Sequence, residues 1–175
     1  MARGSAARFY LTRLQLNSGV RQRKARHSYG IVFYIGFKTG PRTDAEGWYH
    51  AVGGLELGHD ADGFAADLSV WSTRDYESQW RTGIARLAAG QESSALVTSY
   101  AGPTAAFHFM WPMWRVDDQI IFTERLVAGD TIRGPDVAED FYRAVGERRS
   151  RSEDGDPISE WTVPFSDVLA FLAGA

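Results

Sequence analysis

The stretch from Val70 to Gly90 constrains the possible folds of this chain more than any other segment. Ser72, followed three residues later by Asp75, forms a capping-box pattern that predicts the start of a helix. Gly90 is the residue type at which helices commonly end in a left-handed conformation. Between these points apolar residues recur at helical spacing and predict one buried face, made of Tyr76, Trp80, Ile84, Leu87 and Ala88. A face with two large aromatic rings needs a sheet to pack on.

Segments typical of β-strands lie on both sides of this helix. Runs of β-branched and aromatic residues, bounded by turn residues, predict strands over residues 31–38, 48–58, 64–71, 93–100, 104–116, 119–127 and 158–163. A second helix is predicted over residues 134–149 and a short terminal helix over residues 164–172. This order predicts an α+β fold in a single domain, an antiparallel β-sheet of about six strands with helices packed mainly on one face.

Three local features add detail to this expectation. The pair Gly53-Gly54 predicts a β-bulge, and Pro112 predicts an edge strand or a bulge because proline has no N–H for the ladder. Residues 59–63, HDADG, are interpreted as a hairpin turn, for which Asp and Gly suffice. As a metal site this segment lacks the longer run of oxygen ligands that a calcium loop needs.

Charge is distributed unevenly along the 175 residues. The segment from Met1 to Tyr29 holds 7 of the 19 basic residues and no acidic residue. The other 12 basic residues face all 22 acidic residues, so the chain from Gly30 onward has a net charge of −10. An acidic body repels nucleic acid and attracts basic partners. We therefore divide the chain into a basic leader, residues 1–29, and one folded domain, residues 30–175.

The basic leader admits two interpretations. Its arginines would suit an arm that binds nucleic acid or an anionic membrane. It would equally be a flexible tail, or an extension upstream of the true start, and we favour this second interpretation because a basic tail alone is a weak signal. The sequence has no cysteine, no signal-peptide pattern and no apolar run of bilayer length. We expect a cytoplasmic protein with neither a membrane nor a nucleic acid as its partner.

Few residues form a pattern that would support catalysis. His27, His50, His59 and His108 are not spaced as zinc ligands on a helix, and no cysteine is available to join them. No nucleophile elbow, phosphate-binding loop or dinucleotide fingerprint is present. His108 alternates with aromatic residues in a predicted strand and is interpreted as a packing residue. We expect no enzymatic activity, no cofactor and no metal.

The six tryptophans have two interpretations. They would line a ligand pocket or a protein interface, where aromatic residues are enriched. Alternatively they form the core between helix and sheet, which we favour for Trp71, Trp80 and Trp161. Trp111 and Trp114 would lie on opposite sides of a regular strand, so one of them is expected to be exposed.

Several short motifs occur in a characteristic order. They are carried by Trp71, Ser72, Asp75, Tyr76, Gln79, Trp80, Gly83, Arg86, Leu87, Ser94, Ala95, Leu96, Thr98, Ser99, Trp111, Pro112, Arg115, Gly155, Ile158, Ser159, Glu160 and Trp161. This order resembles that of the CdiI-type immunity proteins of contact-dependent growth inhibition systems. The resemblance runs from Gly30 to Leu172, and none of its motifs is a catalytic signature.

The resemblance implies a non-enzymatic antitoxin that binds the C-terminal domain of a delivered toxin, often a nuclease, and blocks its active site or substrate groove. The acidic body agrees with this, because a nuclease that grips phosphates is basic and an acidic inhibitor speeds association with it. Candidate contact residues follow from charge and predicted loop position. They are Asp60, Asp62, Asp117, Asp118, Glu153, Asp154 and Asp156.

Two other functions remain open at this point. One is a small-ligand binding domain or enzyme with an aromatic-lined pocket, which would show a discrete cavity with convergent polar groups. The other is a nucleic-acid binder that uses the leader, which would bind with strong salt dependence. The acidic body makes the second less favoured.

Overall fold

The structure is a computed structural model that describes residues 33–174, so the expected leader, residues 1–29, lies outside the described residues. The described chain contains nine β-strands and three α-helices. The strands are β1 (Phe33–Phe37), β2 (Arg42–Thr43), β3 (Tyr49–Leu57), β4 (Asp60–Asp67), β5 (Ser93–Ser99), β6 (Phe107–Val116), β7 (Gln119–Phe122), β8 (Arg125–Ala128) and β9 (Trp161–Pro164). The helices are α1 (Thr73–Ala88), α2 (Val137–Ala144) and α3 (Phe165–Ala173).

The strands form two antiparallel sheets. In the first, β3 pairs with β4 along one edge and with β1 and β2 along the other. In the second, β6 pairs with β5 along one edge and with β7 and β8 along the other, and β9 extends the sheet beyond β7. Phe33 of the first sheet stacks on Phe122 of the second with ring centroids 5.6 Å apart. The core therefore lies between the facing sheets and α1.

The predicted α+β class, antiparallel pairing and single domain are confirmed for the described residues. The strand number differs, because nine strands in two sheets replace one sheet of about six. The segment expected as one strand over residues 119–127 breaks after Phe122 into β7 and β8. A short strand, β2, also lies between the predicted strands over residues 31–38 and 48–58.

Helix α1 begins as predicted. The Ser72 side chain accepts from the Asp75 backbone N–H, and the Asp75 carboxylate accepts from the Ser72 backbone N–H. The Ser72 hydroxyl also donates to the Asp75 carboxylate at 2.7 Å, and this bond, together with the one from the Ser72 N–H, lowers the pKa of Asp75. Gly90 has φ +95° at the other end, the left-handed conformation expected there. The buried face is confirmed except for Ala88, which is exposed because the helix ends at that residue.

The buried face of α1 bonds to the free edge of β5. The Gln79 carboxamide donates to the Ala95 carbonyl at 2.9 Å and accepts from the Val97 N–H at 2.9 Å. The Trp80 indole N–H donates to the Val97 carbonyl at 2.7 Å. Gln79 thus supplies the donor and the acceptor that a neighbouring strand would supply, and it prevents buried backbone groups from being left unpaired.

Two further residues of α1 fix its position. Gly83 permits the close approach of the helix to β5, since a Cβ at this residue would lie 2.6 Å from the Ala95 carbonyl oxygen. The Tyr76 hydroxyl donates to the Asp67 carbonyl at 2.8 Å and accepts from the Tyr100 N–H at 2.7 Å. Because Asp67 ends β4 and Tyr100 follows β5, Tyr76 joins the two sheets at one point.

The prediction of an edge position or a bulge at Pro112 is wrong. Strand β6 is central, and the register shift in its pairing with β5 lies between Val97 and Ser99. The Pro112 carbonyl accepts from Thr123, which follows β7 and precedes β8. Since the N and C=O of one strand residue point to the same side, the nitrogen of Pro112 faces this break and no ladder N–H is missing.

Two predictions about the β3–β4 hairpin are also wrong. Pairing is continuous through Gly53 and Gly54, so there is no bulge there. A Cβ at Gly53 would lie 2.2 Å from the Phe64 ring, and this packing is what requires a glycine. The turn consists of Gly58 and His59 alone, so Asp60 and Asp62 lie in strand β4 and not in a turn. Gly58, at φ +67°, fits the first central position of a type II′ turn.

Helix α2 covers the face of the second sheet that points away from the first sheet. The helix is confirmed but is shorter than the predicted range of residues 134–149: it begins after Asp136, whose side chain accepts from the Glu139 N–H, and it ends at Ala144. Arg86 of α1 forms an ion pair with Glu139 at 2.7 Å and lies 4.1 Å from the centroid of the Tyr142 ring. Helices α1 and α2 are thereby tied together along one side of β5.

We expect Gln79→Leu to lower the free energy of unfolding by about 2–4 kcal/mol, because it leaves the Ala95 carbonyl and the Val97 N–H buried without partners. Chemical denaturation monitored by tryptophan fluorescence measures this change. Gln91→Leu is a matched control at an exposed glutamine. Equal stability of the two variants would contradict the proposed role of the carboxamide.

Candidate functional site

The predicted acidic residues fall into two groups at opposite ends of β9. Asp60 and Asp62 lie beside Trp161, the first residue of β9, and the loop that carries Glu153, Asp154 and Asp156 leads into the same end. Asp117 and Asp118 lie at the other end, where the Asp118 carbonyl accepts from Phe165, just beyond β9. The structure therefore does not bring all seven candidates into one site.

Asp60 and Asp62 line a cleft between the two sheets. Their register opposite Leu57 and Leu55 directs both side chains to the face of the first sheet that covers the core. The cleft has a volume of about 180 Å³ and is closed on the other side by Trp111 and Trp161, whose ring centroids are 5.1 Å apart. It is smaller than typical small-molecule sites of about 300–1,000 Å³.

Glu153, Asp154 and Asp156 lie in a narrow hairpin-like loop. Its two arms are joined by the Arg148–Glu160 ion pair, with a hydrogen bond of 2.9 Å and a second contact of 2.6 Å, and by the bridge between Arg151 and Pro157. Gly155 has φ +87° at the tip. All three acidic residues are exposed, which confirms the predicted exposed acidic loop.

Asp117 and Asp118 form the two-residue turn between β6 and β7, as predicted. Asp117 has φ +54°, a conformation that Asp tolerates better than most residues. Both residues are exposed, but Arg115 is close, with its Nε donating to the Asp117 carbonyl at 3.4 Å. Arginines therefore lie beside the acidic residues at both ends, since Arg148, Arg149 and Arg151 belong to the loop around Asp154.

A groove that no sequence pattern predicted opens beside β1. It has a volume of about 650 Å³ and runs along all five residues of β1, from Phe33 to Phe37. Helix α1 forms one wall with Glu77, Trp80 and Arg81. Helix α3 forms the other wall with Asp167, Ala170, Phe171 and Gly174. The groove could not be predicted from the sequence, because β1, α1 and α3 come from distant segments of the chain.

We compared this groove with the enclosed pocket that a small-ligand function would require. Much of its lining is aromatic, with Phe33 and Phe37 on β1 and Trp80 and Phe171 in the two walls. Its charged side chains, Glu77, Arg81 and Asp167, come from the two helices, and Arg81 stacks over the Phe171 ring at 5.3 Å. The arrangement is an open channel along a strand, without the convergent polar groups of an enclosed ligand site.

The expectations for the tryptophans are partly confirmed. Trp80 is fully buried, whereas Trp71 and Trp161 are half-buried and pack against the core. Trp111 and Trp114 lie on opposite faces, but both are buried, so the expectation that one is exposed is wrong. The reason is that both faces of β6 are covered: Trp111 packs on Trp161, and Trp114 donates to the Gly146 carbonyl beyond α2.

His108 is a fully buried packing residue, as predicted, but its two ring nitrogens have no hydrogen-bond partner within residues 33–174. The ring packs between Tyr100, at 4.9 Å, and Phe141, at 5.8 Å. Burial lowers the pKa of His108, because the charged imidazolium would lose its hydration without gaining a partner. The residue lies under α2 and away from both the cleft and the groove.

Within residues 33–174 no group of three or more His, Asp or Glu side chains is arranged to hold a metal ion. None of the three helices described here is both long and apolar enough to cross a bilayer. The geometry thus offers surfaces for binding, namely the acidic loops, the small cleft and the groove, and it brings together no nucleophile, base and orienting group.

Comparison with known proteins agrees with this description. The family model described as the CdiI N-terminal domain matches residues 66–171. The chain therefore belongs to the CdiI family, which confirms the resemblance derived from the motifs. Members of this class are immunity proteins, which act by binding and not by catalysis.

Two relatives illustrate the similarity. The immunity protein CdiI of Enterobacter cloacae is 26% identical over 105 residues, covering 59% of this chain and 72% of that protein. A solved structure titled as the CdiA-CT/CdiI toxin and immunity complex from Enterobacter cloacae matches with a TM-score of 0.72 and 22% identity. That match covers 81% of this chain and 97% of the other, and it supports the same fold.

We expect the stability of the protein to fall in mildly acidic solution because of His108. The pKa of His108 is lowered in the folded state, so the unfolded chain binds the proton first as pH falls below about 6.5. Stability is complete above that pH and is lost by up to about 1.4 kcal/mol per pH unit down to the folded pKa. Denaturation at pH 7.5, 6.5 and 5.5 should show this loss in the natural protein and a smaller loss in His108→Phe. Parallel pH dependence of the two proteins would contradict the assignment.

Proposed function

We propose that this chain is an immunity protein that binds and neutralises the C-terminal domain of a cognate CdiA-type toxin. The observation that carries the proposal is the match of the CdiI family model to residues 66–171. The similarity of the fold to a chain of a solved CdiA-CT/CdiI toxin and immunity complex supports it. The protein requires no cofactor for this role, because it acts by occupying a surface of the toxin.

The toxin in this proposal is a basic nuclease. The described residues contain 12 basic and 22 acidic side chains, a net charge of −10. Part of this negative charge is accessible to a partner, because the acidic residues of the Asp154 loop and of the Asp117 turn are exposed. A protein that grips phosphates presents the opposite charge, so complementarity speeds its association with the immunity protein and favours binding at its substrate groove.

Calorimetric titration against the toxin domain encoded beside this gene tests the proposal. We expect a one-to-one complex with a nanomolar dissociation constant that weakens between low and moderate salt. Cells that express the toxin should survive when they also express this chain. No heat of binding and no protection would contradict the proposed function. Tight binding to a toxin without nuclease activity would contradict only the nature of the toxin.

Charge reversal separates local contacts from the general field of the protein. We expect Asp154→Lys with Asp156→Lys to weaken toxin binding about tenfold more than the control pair, if the loop contacts the toxin. The control, Glu92→Lys with Asp130→Lys, changes net charge equally at two exposed acids outside the candidate set. Asp117→Lys with Asp118→Lys tests the opposite end in the same assay. Equal weakening by all three pairs would mean that the acids act only through net charge.

A further inference from the structure

The small cleft between the two sheets brings together groups of two kinds. Its carboxylates belong to Asp60 and Asp62 of β4, and its ring faces belong to Trp111 and Trp161 of the second sheet. Asp60 lies opposite Leu57 in the register, so its side chain is on the face of the first sheet that covers the core. A carboxylate beside apolar surface loses part of its hydration, and a bound cation offsets this loss.

The Asp60 carboxylate is available to a partner. It is exposed, and no ion pair or hydrogen bond engages it within residues 33–174. The Asp62 carboxylate already accepts from the Gly63 N–H at 2.8 Å. These two acidic residues alone do not define a binding site, because inward-pointing charges also protect an edge strand from pairing, and β4 pairs with β3 alone in the described chain.

The indole N–H of Trp111 is a second feature of the cleft, independent of the acidic residues. Trp80 and Trp114, which are also buried, each donate their indole N–H to a backbone carbonyl. Trp111 exposes only 2% of its surface, yet its N–H has no hydrogen-bond partner within residues 33–174. Unlike the unpaired ring nitrogens of His108, this N–H keeps contact with solvent. Because Trp111 lines the cleft, the unpaired donor opens into it, and edge protection does not account for such a donor.

Resting on the proposed function, we propose that the cleft binds one arginine side chain of the toxin. The guanidinium donates to Asp60 and stacks on the ring of Trp161, because arginine pairs with carboxylates and also stacks on aromatic faces. The Trp111 N–H donates to a main-chain carbonyl of the same toxin segment. The volume of about 180 Å³ suits one long side chain and is too small for a ligand of ordinary size.

The unpaired N–H distinguishes an arginine in a polypeptide from a simpler cation. A metal ion or a free polyamine would pair with Asp60 but has no acceptor for the Trp111 N–H, which would stay unpaired. An arginine in a polypeptide carries the cation and a carbonyl acceptor in one residue. Arginines are expected on the substrate-binding surface of a protein that grips phosphates, so the cleft and the acidic loops suit the same kind of partner.

The indole N–H signals in NMR spectra of the full-length protein test the proposal directly. We expect the Trp111 N–H to exchange with solvent about tenfold more slowly when the toxin domain encoded beside this gene is bound. The N–H groups of Trp80 and Trp114 are internal controls, since they donate to backbone carbonyls in both states. Toxin binding without a change at Trp111 would overturn the arginine site and leave the proposed function intact. A failure of the toxin to bind would overturn both.

Asp60→Asn provides an independent test, because it removes the charge and keeps the shape of the side chain. We expect it to weaken toxin binding about tenfold at moderate as well as low salt, since partly buried ion pairs are screened less than exposed charges. Asp130→Asn makes the same change at an exposed acid outside the cleft and should alter binding less than about twofold at moderate salt. Thermal unfolding checks that both variants fold. Equal affinities of the two variants would contradict the proposal.

A double-mutant cycle identifies the toxin residue. Each arginine of the toxin is replaced by lysine, which keeps the charge but not the planar fork. We expect one replacement to weaken binding to the natural protein about fivefold and to have little effect on binding to Asp60→Asn. The absence of any such arginine would contradict the proposal. So would a change at Trp111 that rises with the concentration of the free protein, which would indicate a second copy, or one that spermidine alone induces.

Discussion

The bonding of α1 to the edge of β5 determines how the rest of the molecule is assembled. A buried strand edge leaves N–H and C=O groups that each cost about 1–3 kcal/mol if they find no partner. Gln79 has both a donor and an acceptor in one side chain, and it meets Ala95 and Val97 as a strand would. This arrangement works only if the helix lies close to the strand, which is why residue 83 must be a glycine.

The closure of β5 fixes the position of the remaining elements. Once α1 is held there, the Tyr76 hydroxyl joins the ends of β4 and β5. The Trp80 ring packs on Phe37 and Phe64 of the first sheet. Helix α3 then contacts α1 and β1 from the other side, through Phe171 and Phe33. The groove along β1 is the space that remains between these two helices, so it is a consequence of the same packing.

Local sequence signals predicted most of the secondary structure but little of the site. The start of α1 followed from Ser72 and Asp75 because a capping box is decided within four residues. The central position of Pro112 could not be predicted from the sequence. A proline is tolerated there because it lies opposite the break between the neighbouring strands β7 and β8, which only the folded sheet shows. Asp60 and Asp62 were assigned to a turn because Asp and Gly are common in turns, whereas Gly58 and His59 suffice to make it.

The candidate site shows the same division between local and distant information. Acidic residues in loops can be read from composition, and their exposure in the Asp154 loop agrees with that prediction. The groove brings together β1, α1 and α3, which lie far apart in the chain, so only the fold reveals it. Charge alone acts at a distance and attracts any basic partner. In the proposed function, the acidic surface therefore governs the rate of association with a basic toxin.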